Sequence, residues 1–169
     1  MRGGIPKPGG VWADIGSGSG AFTLALADCI GPGGEIISVD KDSRALHHQQ
    51  QAMLARFPGV SIRYLNADFS HRLSLPLLDG VVMANSLHFL PQKDITLGLI
   101  RSYIKPGGRL IIVEYNVDRG NIWVPYPFSY RTWETLAHDN GFARTELLAT
   151  RPSSFLGEIY SAVSFNERE

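Results

Sequence analysis

Short apolar, often β-branched runs punctuate the first two thirds of the chain, and stretches with helical spacing of apolar positions separate most of them. Residues 11–15 (VWADI), 35–40 (EIISVD), 60–65 (VSIRYL), 80–84 (GVVMA) and 109–115 (RLIIVEY) predict strands. Helices are predicted over residues 20–30, stopped by GPGG, and over 43–57, capped by Asp42 or Ser43 and closed by Pro58-Gly59. The second of these turns Leu46, Met53, Leu54 and Phe57 inward, and a third helix over 93–104 ends at KPGG. That rhythm belongs to a parallel sheet covered on both faces. After residue 115 it changes. Residues 116–129 form a Pro- and aromatic-bearing loop without period, and a short helix over 130–140 ends at Gly141. Two strand-like runs, 143–150 and 157–165, follow with no helix between them, which antiparallel pairing allows. The expected architecture is α/β: a three-layer sandwich around a seven-stranded mixed sheet, five parallel β/α units plus an antiparallel C-terminal edge.

The length of 169 residues suits a single domain over 1–169. Lys+Arg and Asp+Glu both number 16, and the zero formal charge argues against a general binder of nucleic acid or anionic membrane. Cys29 is the sole cysteine, so no intrachain disulfide and no cysteine-based metal site can form, which fits a reducing compartment. No apolar run reaches the roughly 18–20 residues of a membrane span, and the first ten residues have no apolar signal core. A cytoplasmic protein is expected.

The stretch VWADIGSGSGAFTLALA carries the chemistry. Glycines at 16, 18 and 20 bare the backbone where a strand turns into a helix, so that a ligand can press on N–H groups at the helix N-terminus. Dinucleotides use such a turn, and Gly16-x-Gly18-x-x-Ala21 matches their fingerprint, with Asp40 at the interval of a ribose-binding acid. Asp14 weighs against them. It would set a negative charge beside a pyrophosphate, and two like charges about 4 Å apart cost on the order of 4 kcal/mol at an effective dielectric of about 20. S-adenosylmethionine has a cationic methionyl end and an adenosine end, and suits an acid at that place better.

Four stretches together, DIGSGSG, SVDKD, NADF and KPGGRLIIVEYN, resemble in order and spacing the motifs of class I S-adenosylmethionine-dependent methyltransferases, nearest the small-molecule group that includes ubiquinone- and menaquinone-biosynthesis enzymes. The resemblance implies a Rossmann-like fold and a cofactor site. In it Gly16, Gly18 and Gly20 would cradle the methionyl end, with Asp14 near its ammonium. Asp40, with Lys41 beside it, would bind the ribose hydroxyls. Asp68 would take the adenine amino group, Phe69 would pack beside the ring, and Asn85 would line the methyl end.

Methyl transfer from a sulfonium is an in-line displacement with a neutral leaving group, so positioning can supply much of the rate and no catalytic side chain is required. Asn85 is followed by SLH rather than a Pro-Pro-aromatic run, no Pro-Cys follows the fourth strand, and no acidic neighbours offer a magnesium site. The expected acceptor is therefore a neutral, partly apolar or aromatic small molecule, with no nucleic acid and no metal. His88 stands where it can orient or deprotonate a hydroxyl, or merely pack. Trp123, Tyr126, Phe128 and Tyr130 offer an aromatic floor for the acceptor or ordinary loop packing. The residues before the first strand include Gly3, Gly4, Pro6, Pro8, Gly9 and Gly10, which oppose a covering helix. Without the usual N-terminal cap helices the cleft should open to solvent, unless residues 116–130 fold across it, leaving room for a bulky acceptor, a partner chain or a second copy. The alternative to an enzyme is a cofactor-binding module that is catalytically weak or partner-dependent; a nicotinamide-dependent oxidoreductase is the remaining reading.

Overall fold

The computed structural model describes residues 1–167. Seven strands form one sheet: β1 (Gly10–Ile15), β2 (Gly34–Asp40), β3 (Ser61–Asn66), β4 (Leu78–Ala84), β5 (Ile104–Tyr115), β6 (Arg144–Ser153) and β7 (Gly157–Phe165). Their spatial order is β3-β2-β1-β4-β5-β7-β6. The first five pair in parallel, while β7 runs antiparallel to both β5 and β6. Four helices cover it: α1 (Ala21–Ile30), α2 (Ser43–Arg56), α3 (Asp94–Tyr103) and α4 (Tyr130–Asp139).

The central strands are apolar on both faces, and each face builds a core. Trp12, Ile36, Val82, Ile111 and Val163 meet Leu26, Ala27 and Ile30 of α1 and Met53 of α2. Ala13, Ile37, Val81, Ile112 and Ala162 meet Leu97 and Ile100 of α3 and Trp133 and Ala137 of α4. Alternation along each strand sends odd and even residues to opposite layers. The β5–β7–β6 edge matches the expected antiparallel end.

Three details depart from the sequence reading. The crossover from β3 to β4, residues 67–77, carries no helix; Leu73 plugs it into the core, and its N–H donates to the Tyr103 hydroxyl at 2.8 Å. Strand β5 begins earlier than residue 109, because Ile104 pairs with Leu78 across an irregular step. Leu54 does not face inward but is 65% exposed, since α2 lies over β3, the last strand of the sheet, and has nothing beyond it to pack against. Asp42 is the α2 cap, accepting from the N–H groups of Arg44 and Ala45.

The opening residues make a short 3-10 turn (Arg2–Gly4) that lies against Ile111 and Leu148, on the layer that holds α1. Strand order reverses between β1 and β4, the place where open α/β sheets part their strand ends to form a crevice.

Candidate active site

A cleft of about 360 Å³ opens at that reversal. Gly16 and Gly18 wall it from the turn after β1, Asp40 and Lys41 from the end of β2, and Asp68, Phe69 and Ser70 from the segment after β3. Asn85, Ser86, Phe89 and Leu90 close it from beyond β4.

Gly16 has a φ of 75°, and a Cβ there would stand 2.5 Å from the Ser86 Cβ, so that corner admits only glycine. A Cβ on Gly18 would meet nothing within 4 Å, which leaves that stretch of backbone bare toward the cleft. The Gly18 N–H donates to Asp40 Oδ2 at 2.7 Å, and Asp40 Oδ1 accepts the Asp42 N–H at 2.8 Å. Asp40 thereby clamps the glycine turn to the start of α2. Gly20 does not wall the cleft; it begins α1, and a side chain on it would run into Gln49 of α2.

Asp14 also departs from expectation. Its side chain points beneath the glycine turn rather than into the cleft wall. Oδ2 accepts the Thr23 hydroxyl at 2.6 Å, while Oδ1 is buried without a partner. Burial pushes the carboxyl up to about 7 against the pull of the Thr23 hydrogen bond, and the nearby Asp40 charge adds to the rise. Gln49 extends the buried chain, donating to Thr23 Oγ1 at 2.7 Å and accepting from Ser38 at 2.6 Å.

Asp68 lies at the opposite wall, with Oδ1 accepting the hydroxyl and the backbone N–H of Ser70 at 2.7 and 2.9 Å. Those two bonds hold its carboxyl below the usual range. Phe69 packs at the Gly16 corner. Asn85 adopts a left-handed φ of 51°, and its Oδ1 is the second buried oxygen without a partner.

His88 sits on the 3-10 turn Leu87–Phe89, buried at 3% exposure behind the cleft wall that its neighbour Phe89 forms. Its Nδ1 lies 2.7 Å from Oε2 of Glu114 on β5, whose Oε1 accepts the Leu87 N–H at 3.1 Å. An ionised carboxylate only accepts, so against it Nδ1 is the donor. The rings of Phe89 and Tyr115 flank His88 at 4.4 and 6.4 Å, and Phe155 stands edge-on to Tyr115 at 5.6 Å. An aromatic band thus leads from the cleft toward the β6–β7 turn.

No residue of the loop 116–129 lines the cleft. Its Tyr126 N–H donates to the His88 carbonyl at 3.0 Å, and Lys93 Nζ donates to the Tyr126 and Leu90 carbonyls at 3.0 and 2.9 Å. Burial lowers the Lys93 ammonium, with Glu114 and Asp94 pulling it back up. Phe128 is spent in the core, and Trp123 is 72% exposed.

Sequence reading passed over Glu114, Lys93 and Gln49. Glu114 had a signal: it shares strand parity with core-facing Leu110 and Ile112, a place where an acid is costly without a partner. Lys93 and Gln49 had none, since polar side chains on helix ends and faces are ordinarily solvated.

Residues 13–110 match the family model described as a methyltransferase domain. The chain belongs to the class I S-adenosylmethionine-dependent methyltransferases. The chain is 32% identical over 126 residues to the ubiquinone/menaquinone biosynthesis C-methyltransferase UbiE of Burkholderia mallei, a match covering 73% of the chain and 49% of that relative. The chain spans about half the length of the curated relatives it matches. In fold it resembles an arsenic(III) S-adenosylmethionine methyltransferase from Chlamydomonas reinhardtii, with a TM-score of 0.77 at 18% identity over 98% of this chain and 65% of that one. It also resembles YcgJ of Bacillus subtilis, with a TM-score of 0.79 at 10% identity over 100% of this chain and 97% of that one.

The cleft suits the family's cofactor, S-adenosylmethionine. Carboxylates at both ends and the unpartnered Asn85 oxygen present acceptors for hydroxyl, amino and ammonium donors, the bare backbone at Gly18 leaves room beside them, and little there would welcome a pyrophosphate.

Proposed function

We propose that this methyltransferase acts on a neutral, partly apolar or aromatic small molecule bearing a hydroxyl, with His88 as the base that Glu114 orients. The observation that carries this reading is the 2.7 Å contact between His88 Nδ1 and Glu114 Oε2, directly behind the cleft wall. When bound, S-adenosylmethionine supplies an electrophilic methyl group on a sulfonium and leaves as a neutral thioether. Asp40 and Asp68 would hold the nucleoside half, and Gly16, Gly18 and Asn85, with Asp14 beneath the glycine turn, would receive the methionyl half. Lys41 stands at the ribose end.

The chain's own part is orientation and one proton. His88 Nε2 takes the proton of the acceptor hydroxyl, and Glu114 stabilises the imidazolium that results. Electron density then rises on that oxygen or, in a conjugated ring, on the carbons ortho and para to it; the C-methyltransferase name of the UbiE relatives supports a carbon. Phe89, Tyr115 and Phe155 give the ring a surface to lie on. With loop 116–129 held back at Tyr126, the acceptor enters from the open side of the cleft, where a bulky acceptor, a partner chain or a second copy completes the wall. Neutral net charge and a single cysteine support a cytoplasmic setting; no helix among the described residues is long and apolar enough to cross a membrane.

The test is formation of S-adenosylhomocysteine with a panel of hydroxylated aromatic acceptors, followed by product mass. Turnover of phenolic acceptors that collapses in His88→Ala supports the reading. Turnover that His88→Ala leaves unchanged removes the base, and no turnover with any acceptor, alongside normal cofactor binding, would leave a binding module instead.

A further inference from the structure

A second cavity, of about 490 Å³, opens at the far end of the sheet, where the parallel strands begin. The same tetrapeptide lines it twice. Lys7-Pro8-Gly9-Gly10 leads into β1, Lys105-Pro106-Gly107-Gly108 lies within β5, and Trp12 and Asp79 complete the wall. None of these residues belongs to the cofactor cleft. The hollow exists because its turns are bare. Gly9, Gly10 and Gly107 hold φ values of 82°, 85° and 78°, where a Cβ is strained. A Cβ on Gly10 would begin 3.0 Å from Asp79 Oδ2 and 3.3 Å from the indole nitrogen of Trp12.

Charge is unevenly settled around it. Asp79 is committed to the frame: Oδ2 accepts the Val11 N–H at 2.7 Å and Oδ1 accepts Lys105 Nζ at 2.9 Å. Those bonds and the Lys105 and Lys7 charges hold its carboxyl ionised, below the usual range, against its partial burial. Lys105 is thereby neutralised. Lys7 and Arg109 also line the cavity, and neither has an ion-pair partner among the described residues. Arg109 is steadied over the Phe165 ring at 5.1 Å and gives one N–H to the Gly4 carbonyl at 3.3 Å. Lys7, Arg109 and the Trp12 indole therefore line a hollow whose wall also includes Pro6, Pro8 and Pro106.

We propose that this cavity is a second ligand site, separate from the cofactor cleft, that takes a small phosphate monoester carried on a flat apolar body. A dianionic phosphate offsets the two positive charges. The prolines and the indole edge accept a flat apolar group, which a bare inorganic ion does not supply.

The probe is phenyl phosphate, titrated calorimetrically into the whole chain with and without saturating S-adenosylhomocysteine. Inorganic phosphate and benzyl alcohol serve as partial ligands. Phenyl phosphate should bind at one site per chain, more tightly than either partial ligand and equally well in both conditions. Lys7→Met, at an exposed position, should weaken it about fivefold or more and leave S-adenosylhomocysteine affinity unchanged. Absence of saturable binding, full affinity in Lys7→Met, or competition with S-adenosylhomocysteine would each overturn the site. Equal affinity for inorganic phosphate would remove the apolar-body part. Cofactor binding is read in the same experiment, so a failure here is distinct from a failure of the methyltransferase reading.

Discussion

Oε2 of Glu114 receives Nδ1 of His88 at 2.7 Å, with both side chains buried and the second carboxylate oxygen taken by the Leu87 N–H. One acid thus fixes both the ring and the turn that carries it. If His88 is the base, His88→Ala lowers kcat by about 10²–10⁴. Glu114→Gln keeps the shape but can present its amide N–H to Nδ1, inviting the wrong tautomer, and should lower kcat with little change in KM. Calorimetry should find S-adenosylhomocysteine affinity close to wild type in both variants. A Glu114→Gln enzyme with wild-type kcat and pH profile would make the pair a packing device.

Asp40 holds two N–H groups, from Gly18 and Asp42, and faces the cleft. Asp40→Ala should weaken S-adenosylmethionine binding by roughly 1.5–3 kcal/mol, from lost hydrogen bonds to the ribose and a loosened glycine turn. Isothermal titration measures it directly. Unchanged affinity would show that the ribose lies elsewhere.

The buried Asp14 makes stability depend on pH. Its folded value, about 7, is above its ordinary value of 3.8, so the folded state holds the proton more tightly than the unfolded chain. Stability should therefore be highest below about pH 4, as far as this group is concerned, fall as pH rises toward 7, and level off above. The full cost is on the order of 4 kcal/mol. Asp14→Asn should match wild type near pH 4 and melt higher at pH 8, while binding S-adenosylmethionine more weakly because the charge is gone. Equal melting temperatures of the two proteins at pH 8 would contradict the burial argument.

Asn85 adopts a φ of 51° at the cleft wall. Asn85→Gly should retain or slightly raise the melting temperature, whereas Asn85→Ala should cost about 1 kcal/mol because alanine resists the left-handed region. Both should weaken cofactor binding if the buried Oδ1 receives a methionyl donor. Cofactor affinity unchanged in both variants would assign the residue to the turn alone.

The sequence by itself determined the layers of this protein: short, β-branched apolar runs such as GVVMA read as strands buried on both faces, and the missing helix between residues 150 and 157 points to an antiparallel edge. It also set out the cleft, because Gly16, Gly18, Asp40, Asp68 and Asn85 all lie at strand ends, and strand ends of a parallel sheet converge whatever surrounds them. Only the tertiary structure decided where side chains point and what they meet. Asp14 turns under the glycine loop, since strand parity aims it at α1, and Gly20 makes room for Gln49 rather than for a ligand. Glu114 and His88 are 26 residues apart, and their meeting depends on the register of β4 against β5. The two KPGG turns face one cavity for the same reason: local spacing specifies elements, whereas pairing across the sheet specifies which distant residues become neighbours.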